Sequence, residues 1–445
     1  MSDLPPITEV VGGVGGLAAE YADIRWLADT LDRVGSRALH WAGSAGSALI
    51  DVALLATAAL APGSFARVEG KLLSAGGHEV IDSTVWELDA VGCRAAVDAL
   101  EEADELSRIA LDALDYALGR GLAAPLFPVA QAVDAVPDPI WDRLVDRLGP
   151  PGSGGPGALD ELVIDHPGVV RHLLNGSGGV LDGLTVGPVP VVEHLTAGRA
   201  AADASTWYDV PGHSAVAPGL TSYTTGALGV ADLMLTVDVL GGRPDGTIAV
   251  QTLAGPDGPV HIVLLPGTDA LGLPWDFDPD ARDGQTDLAA VAGLPNTYAE
   301  GIRQALATAG VGDDPVLLVG HSLGGIVANQ LAHEQGLNVA GVITAGSPIA
   351  ATPVGIPVLS LENRGDIVPM LLGDAPVDTI DHVTVSFDDH EASVLANHDL
   401  GHYVAGAQAV DASSDPSIQD PIARWQRFLT GGSATMQEFT ITRAL

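Results

Sequence analysis

At 445 residues, 47% of them hydrophobic, the chain is long enough for two or three domains with cores of their own. A net charge of −38, with Lys71 the single lysine, excludes electrostatic binding to nucleic acid and docking on anionic lipid. Cys93 stands alone, which excludes an internal disulfide. Met1 to Pro6 has neither the basic nor the apolar region of a signal peptide. The apolar run from Ala48 to Leu60 is too short to cross a bilayer and carries Asp51. The expectation is a cytoplasmic protein without a transmembrane segment.

The chain opens as helix. Leu17, Tyr21, Ile24, Leu27, Ala28 and Leu31 recur at spacings of three and four, which places them on one apolar stripe. A second helix is expected from about Ser47 to Leu60, stopped by Ala61-Pro62-Gly63, and a third from Val91 to Leu118. Between the first two lies Trp41-Ala42-Gly43. It resembles the Trp-x-Gly turn of the small helical hairpins exported by type VII secretion systems, although that family's tyrosine-based export signal does not follow. The resemblance, confined to the first hundred residues or so, implies non-classical export. The other reading is a helical bundle that binds a partner or oligomerises.

Pro150-Pro151-Gly152-Ser153-Gly154-Gly155-Pro156-Gly157 holds neither helix nor strand and reads as a linker. It divides a helical domain, 1–149, from a second domain, 158–430, with 431–445 as a C-terminal tail. Gly212-His213-Ser214-Ala215-Val216 reads as a loop. Thr247 to Leu253 and Val260 to Leu265 form a hairpin across Gly255-Pro256-Asp257-Gly258. Strand and helix then alternate: a helix from Thr297 to Ala309, then strands at Pro315 to Val319, Val339 to Thr344, Pro357 to Leu361 and His382 to Phe387. The alternation predicts a mostly parallel sheet with helices on both faces and an active site at the strands' carboxyl ends.

Gly320-His321-Ser322-Leu323-Gly324-Gly325 sits between an apolar strand and the helical stretch Ile326 to Ala332. With 55 glycines in the chain, G-x-S-x-G arises readily by chance; the flanking strand and helix are what distinguish this copy. A serine at such a turn stands out at the sheet edge, but it is a weak nucleophile without a base and an orienting acid. Asp366 lies just beyond a strand and is the preferred acid; Glu362, still close to that strand, is the competitor. For the base, His382 falls at the wrong end of its strand, which leaves His390, His398 and His402. His398 opens a helix after a strand and is preferred; His402, one turn later, fits a packing role.

The elbow, then Thr344-Ala345-Gly346-Ser347-Pro348, Gly365-Asp366-Ile367-Val368-Pro369 and a late histidine resemble the lipase side of the α/β-hydrolases. The class 3, fungal-type lipases are the nearest comparison. Leu264-Leu265-Pro266-Gly267-Thr268-Asp269 followed by Trp275 is similar to the oxyanion loop and lid of those enzymes, except that Pro266 replaces the family's arginine. His398-Asp399-Leu400 with Tyr403 resembles the segment that supplies the base in actinobacterial-type α/β-hydrolases. The resemblance covers roughly Val163 to Leu429. It implies an α/β-hydrolase fold, a carboxylic ester hydrolase of esterase or lipase type, and a small-molecule or lipid ester as substrate. Ser322, His398 and Asp366 become the triad, Leu323 N–H and Thr268 the oxyanion donors, and no cofactor is required. Acyl transfer or thioester hydrolysis by the same triad, or an interaction module with an inactive hydrolase half, are the alternatives.

Gly272 to Asp278 mixes bulky apolar groups beside the site and suits a lid or acyl-chain wall. Asp276, Asp278, Asp280, Asp283 and Asp287 suggest a calcium loop, but Pro279 intervenes and Ala281 stands where the turn needs glycine. His398 and His402 share a helix face but lack a third ligand, so no metal site is expected.

Overall fold

The computed structural model describes residues 4–123, 164, 167–176, 212–256, 258–269, 279–334, 336–349, 353, 355–372, 379–390, 393–394 and 396–444. The chain divides into two compact units, Leu17–Ile109 and a larger one made of Met1–Gly16 with Ala110–Leu445. The expected linker at 150–157 and the stretch Gly272 to Asp278 lie outside the described residues.

The smaller unit is a helical hairpin. Helix α1 (Leu17–Leu49) runs antiparallel to the first part of α3 (Pro62–Ala123), with α2 (Val52–Leu60) at the turn. Small residues make the seam: Ala28, Ala38 and Ala90 are buried, and a side chain at Gly35 would stand 3.2 Å from the Ser83 carbonyl oxygen. Arg25 pairs with Asp98 and Glu101, and Arg94 with Asp29 and Asp32, all at the surface, where such pairs contribute little. The turn expected at Trp41-Ala42-Gly43 is absent. Those residues lie inside α1, where a glycine costs only about 1 kcal/mol and α3 packs alongside. The break comes at Ile50-Asp51, where the Asp51 carboxylate caps α2 by accepting from Ala53 N and Leu54 N. Among the described residues no single helix is long and apolar enough to cross a membrane. The pair Leu17–Leu49 and Val52–Ala58, bent by 53°, passes that test by length and composition only.

The larger unit is built on a nine-stranded mixed sheet, in the order β1-β8-β7-β6-β5-β4-β3-β9-β2. Its strands are β1 (Ile7–Gly12), β2 (His213–Thr225), β3 (Thr247–Gly255), β4 (Gly258–Leu265), β5 (Val316–His321), β6 (Val339–Ala345), β7 (Val358–Asn363), β8 (His382–Phe387) and β9 (Ser433–Ala444). The centre, β4 through β8, is parallel, and both margins are antiparallel. Alternate residues of the central strands enter opposite cores, which is why these strands read as unbroken apolar runs. Leu317 and Val319 of β5 join the core beneath α5 (Val230–Gly241), α9 (Leu400–Ala412) and α10 (Pro416–Arg424). Leu318 joins the core beneath α6 (Gly284–Val291), α7 (Thr297–Ala309) and α8 (Leu323–His333). A further short helix, α4 (Pro167–Asn175), precedes β2.

Three further sequence expectations change in this unit. The first residues are not all helical: β1 pairs antiparallel with β8 and belongs to the sheet unit. The expected C-terminal tail holds β9, hydrogen-bonded to β3 on one side and β2 on the other. Gly212 to Val216, expected as a loop, leads into β2, an edge strand whose Pro218 sits at a register shift where a missing N–H is tolerated.

Candidate active site

Each chemistry-bearing loop follows the carboxyl end of a parallel strand: Gly267-Thr268 after β4, Ser322 after β5, Asp366 after β7, and His398 after β8. Ser322 occupies the turn between β5 and α8 with φ 52°, ψ −124°, a left-handed conformation that a side-chain-bearing residue adopts only under constraint. The constraint is close packing. A Cβ at Gly320 would collide with the backbone of Gly324, and one at Gly324 with the Leu265 carbonyl. Ser347, from the Gly-Ser-Pro segment after β6, donates its hydroxyl to the Ser322 carbonyl at 2.8 Å.

The geometry brings Ser322, His398 and Asp366 into one line. Ser322 Oγ lies 3.0 Å from His398 Nε2, and His398 Nδ1 lies 2.6 Å from Asp366 Oδ2. Asp366 is fully buried, and its other oxygen accepts from Val368 N at 2.8 Å. His398 closes a short 3-10 turn, Ala396–His398, and its side chain is 25% exposed, so the imidazole meets both the buried acid and an open site. This arrangement can move a proton from the serine hydroxyl to the imidazole while a carboxylate holds the imidazole in the required tautomer.

The competing residues have partners elsewhere. Glu362 remains within β7 and faces Arg171 at 3.5 Å; burial raises its carboxyl above the ordinary range. His382 bonds Ser360 Oγ at 2.8 Å, and burial lowers its imidazole to about 4. His390 is exposed beside Asp388, and His402 Nδ1 pairs with Asp389.

His321, the elbow residue before the serine, is a member of the site that the motif alone does not assign. Its Nε2–H donates to the His398 carbonyl at 3.1 Å, and the two rings lie 4.8 Å apart. Burial lowers its imidazole to about 3, with the neighbouring His398 acting in the same direction, so it stays neutral.

The loop after β4 and the start of α8 have their own wiring. Leu323 is the first residue of α8, so its N–H has no intrahelical acceptor and lies at the positive end of the helix dipole. The Thr268 hydroxyl donates to Asp287 Oδ1 at 2.7 Å, which leaves its main-chain N–H as the group it can offer an anion. Where Pro266 replaces the arginine expected from the lipase resemblance, a different arginine supports the loop. Arg282, fully buried, donates to the Gly267 carbonyl and to Asp269 Oδ1, each at 2.7 Å. Asp269 N in turn donates to the Arg282 carbonyl at 2.9 Å, and the Tyr298 hydroxyl reaches the Pro266 carbonyl at 3.4 Å. Arg282 gave no periodic signal; a lone arginine in an acidic stretch was the only hint.

Asp280, Asp283 and Asp287 each bond protein groups. Asp280 accepts from Arg282 N, Asp283 caps α6 and pairs with Arg443 of β9, and Asp287 takes the Thr268 hydroxyl. Asp276 and Asp278 lie outside the described residues. Among the described residues no group of three or more His, Cys, Asp or Glu could hold a metal ion.

Burial raises the Asp287 carboxyl to about 6; Asp283 adds to the rise, while the Thr268 hydrogen bond and His398 oppose it. The same group in an unfolded chain titrates near 3.9. Between about pH 4 and pH 6 the folded chain therefore holds a proton that the unfolded chain has released. Stability falls as pH rises through that window, by about 2–3 kcal/mol in full above it. Asp287→Asn keeps an acceptor for Thr268 and removes the ionisation. Its melting temperature should exceed that of the wild type by a margin that opens between pH 4 and 6 and stays constant above, as read by calorimetry across pH.

A groove of about 510 Å³ runs along α8, walled by apolar residues such as Val291, Leu294, Ile326, Pro348 and Leu372 and by polar ones such as Asn329, Gln330, Arg303 and Glu334. It contains none of the three aligned residues, but Ile326 is one helical turn past Ser322, and Pro348 follows the serine that braces it.

No protein-family model, curated protein or solved structure matches this chain.

Proposed function

We propose that the larger unit is an α/β-hydrolase that cleaves carboxylic esters through an acyl-enzyme. The observation that carries this reading is the line from a constrained Ser322 through His398 to a buried Asp366, at 3.0 and 2.6 Å. In the proposed cycle Ser322 Oγ attacks the ester carbonyl as His398 Nε2 takes its proton. The tetrahedral anion receives hydrogen bonds from Leu323 N–H and Thr268 N–H. His398 returns the proton to the departing alcohol, leaving an ester on Ser322. Water, deprotonated by His398, then attacks that ester, and the acid leaves as the serine recovers its proton. The mostly apolar wall of the groove beside α8 supports a substrate with an apolar acyl chain.

Treatment with a fluorophosphonate and intact mass measurement tests the reading. A single adduct is expected on the wild type and none on Ser322→Ala, with hydrolysis of acyl esters lost in the same variant. A folded wild-type protein that takes no adduct would overturn it.

A further inference from the structure

The triad acid has a third hydrogen-bond partner. Tyr403, one turn into α9, donates its phenol to Asp366 Oδ2 at 2.7 Å, the same oxygen that receives His398 Nδ1 at 2.6 Å. The phenol oxygen is itself fixed, accepting from Asn363 N at 3.2 Å, and Asn363 O accepts from Asp366 N at 2.9 Å. The Tyr403 ring is fully buried, edge-on to Phe387 with centroids 5.6 Å apart and the same distance from His321. A side chain at Gly346 would press on both the Tyr403 ring and His398 at 3.1 Å. The ring is thus closely packed and its hydroxyl bonded on two sides.

We propose that Tyr403 is a positioning residue of the Ser322–His398–Asp366 array. By sharing Asp366 Oδ2 it fixes the direction of the carboxylate and draws off part of the negative charge that the imidazole meets. This rests on the ester-hydrolase reading for its kinetic consequence, but not for its electrostatic one. Burial and the adjacent Asp366 raise the phenol well above its ordinary range, so it remains a donor at neutral pH. Among the described residues the other ionisable groups facing this cluster are His321 from β5, Asp287 from α6, Glu362 from β7 with its partner Arg171, and Asp389, which accepts from Asn363 Nδ2 and pairs with His402. None of them reaches the shared oxygen.

Tyr403→Phe removes the donor and keeps the ring. The whole carboxylate charge then falls on His398, which favours the imidazolium and makes the base easier to protonate. The acid limb of kcat/KM should move to higher pH by about half a unit to one unit. kcat should drop roughly tenfold, the kinetic equivalent of one lost buried hydrogen bond, with KM little changed. Proton NMR of the His398 imidazole, titrated without substrate, should show the same rise in midpoint. Tyr403→3-fluorotyrosine, a stronger donor of similar size, should move the midpoint the other way. If the wild type hydrolyses no ester, the NMR titration alone decides. A lowered melting temperature with an unmoved His398 midpoint in both variants would overturn the proposal and leave Tyr403 a packing residue.

Discussion

Asp366→Asn should lower kcat on a simple ester by about 10⁴-fold with little change in KM. The carboxylate accepts three hydrogen bonds, from Val368 N, His398 Nδ1 and the Tyr403 phenol. An asparagine has one acceptor oxygen and one NH2, so one side of the group must meet a donor with a donor. If the NH2 faces His398, the imidazole is held with its proton on Nε2, where it points at Ser322 and cannot take the serine's proton. If it faces Val368, a buried main-chain N–H is orphaned. Steady-state kinetics beside the rate of fluorophosphonate labelling would measure the first effect, and a melting curve the second.

Arg282→Ala should be the most destabilising change near the site, costing about 3–5 kcal/mol, because it leaves a buried carboxylate without its cation. The Asp269 side chain is only 9% exposed, and the guanidinium also holds the Gly267 carbonyl. With the loop released, Thr268 N–H loses its aim, and under the proposed mechanism the loss of one oxyanion donor lowers the rate by about 10²–10³-fold. Arg282→Lys should recover part of the stability but not the rate, since a single ammonium cannot reproduce the planar fork that spans Gly267 and Asp269. Urea unfolding and kcat, measured on the same preparations, separate the two effects.

What the sequence disclosed and what it hid follow from the range of the interactions involved. The strand-elbow-helix unit was legible because its signal is local: an apolar run buried on both faces, then glycines that nothing larger can replace. Asp366 and His398 were legible because each lies on a loop just past an expected strand. β9 was not, since Ala434 and Met436 face one core and Phe439 and Ile441 the other, with threonines between. No single-period stripe marks such a strand. β1 was hidden because its six residues acquire meaning only from a partner at the far end of the chain. The helical hairpin was half legible: Gly63, Gly70, Gly76 and Gly77 weaken the pattern in the first part of α3, where packing against α1 compensates. Arg282 and Asp287 carried no local signal as partners of the site, because each reaches a group on a different element; Tyr403 stood beside His398 in the resemblance, but its bond to Asp366 after β7 had no such signal.

β1 enters the sheet before the helical hairpin begins, and the chain returns to the same unit after it. The hairpin is thus a cassette spliced into the α/β unit, not an N-terminal appendage to it. A fragment cut to start at residue 158 would keep Ser322, Asp366 and His398 yet strip β8 of the strand that pairs Val383 to Phe387 with Gly12 to Ile7. A bare edge of that kind is a template for any other extended chain. Excising Leu17–Ile109 instead removes the hairpin and leaves β1 free to hold its place.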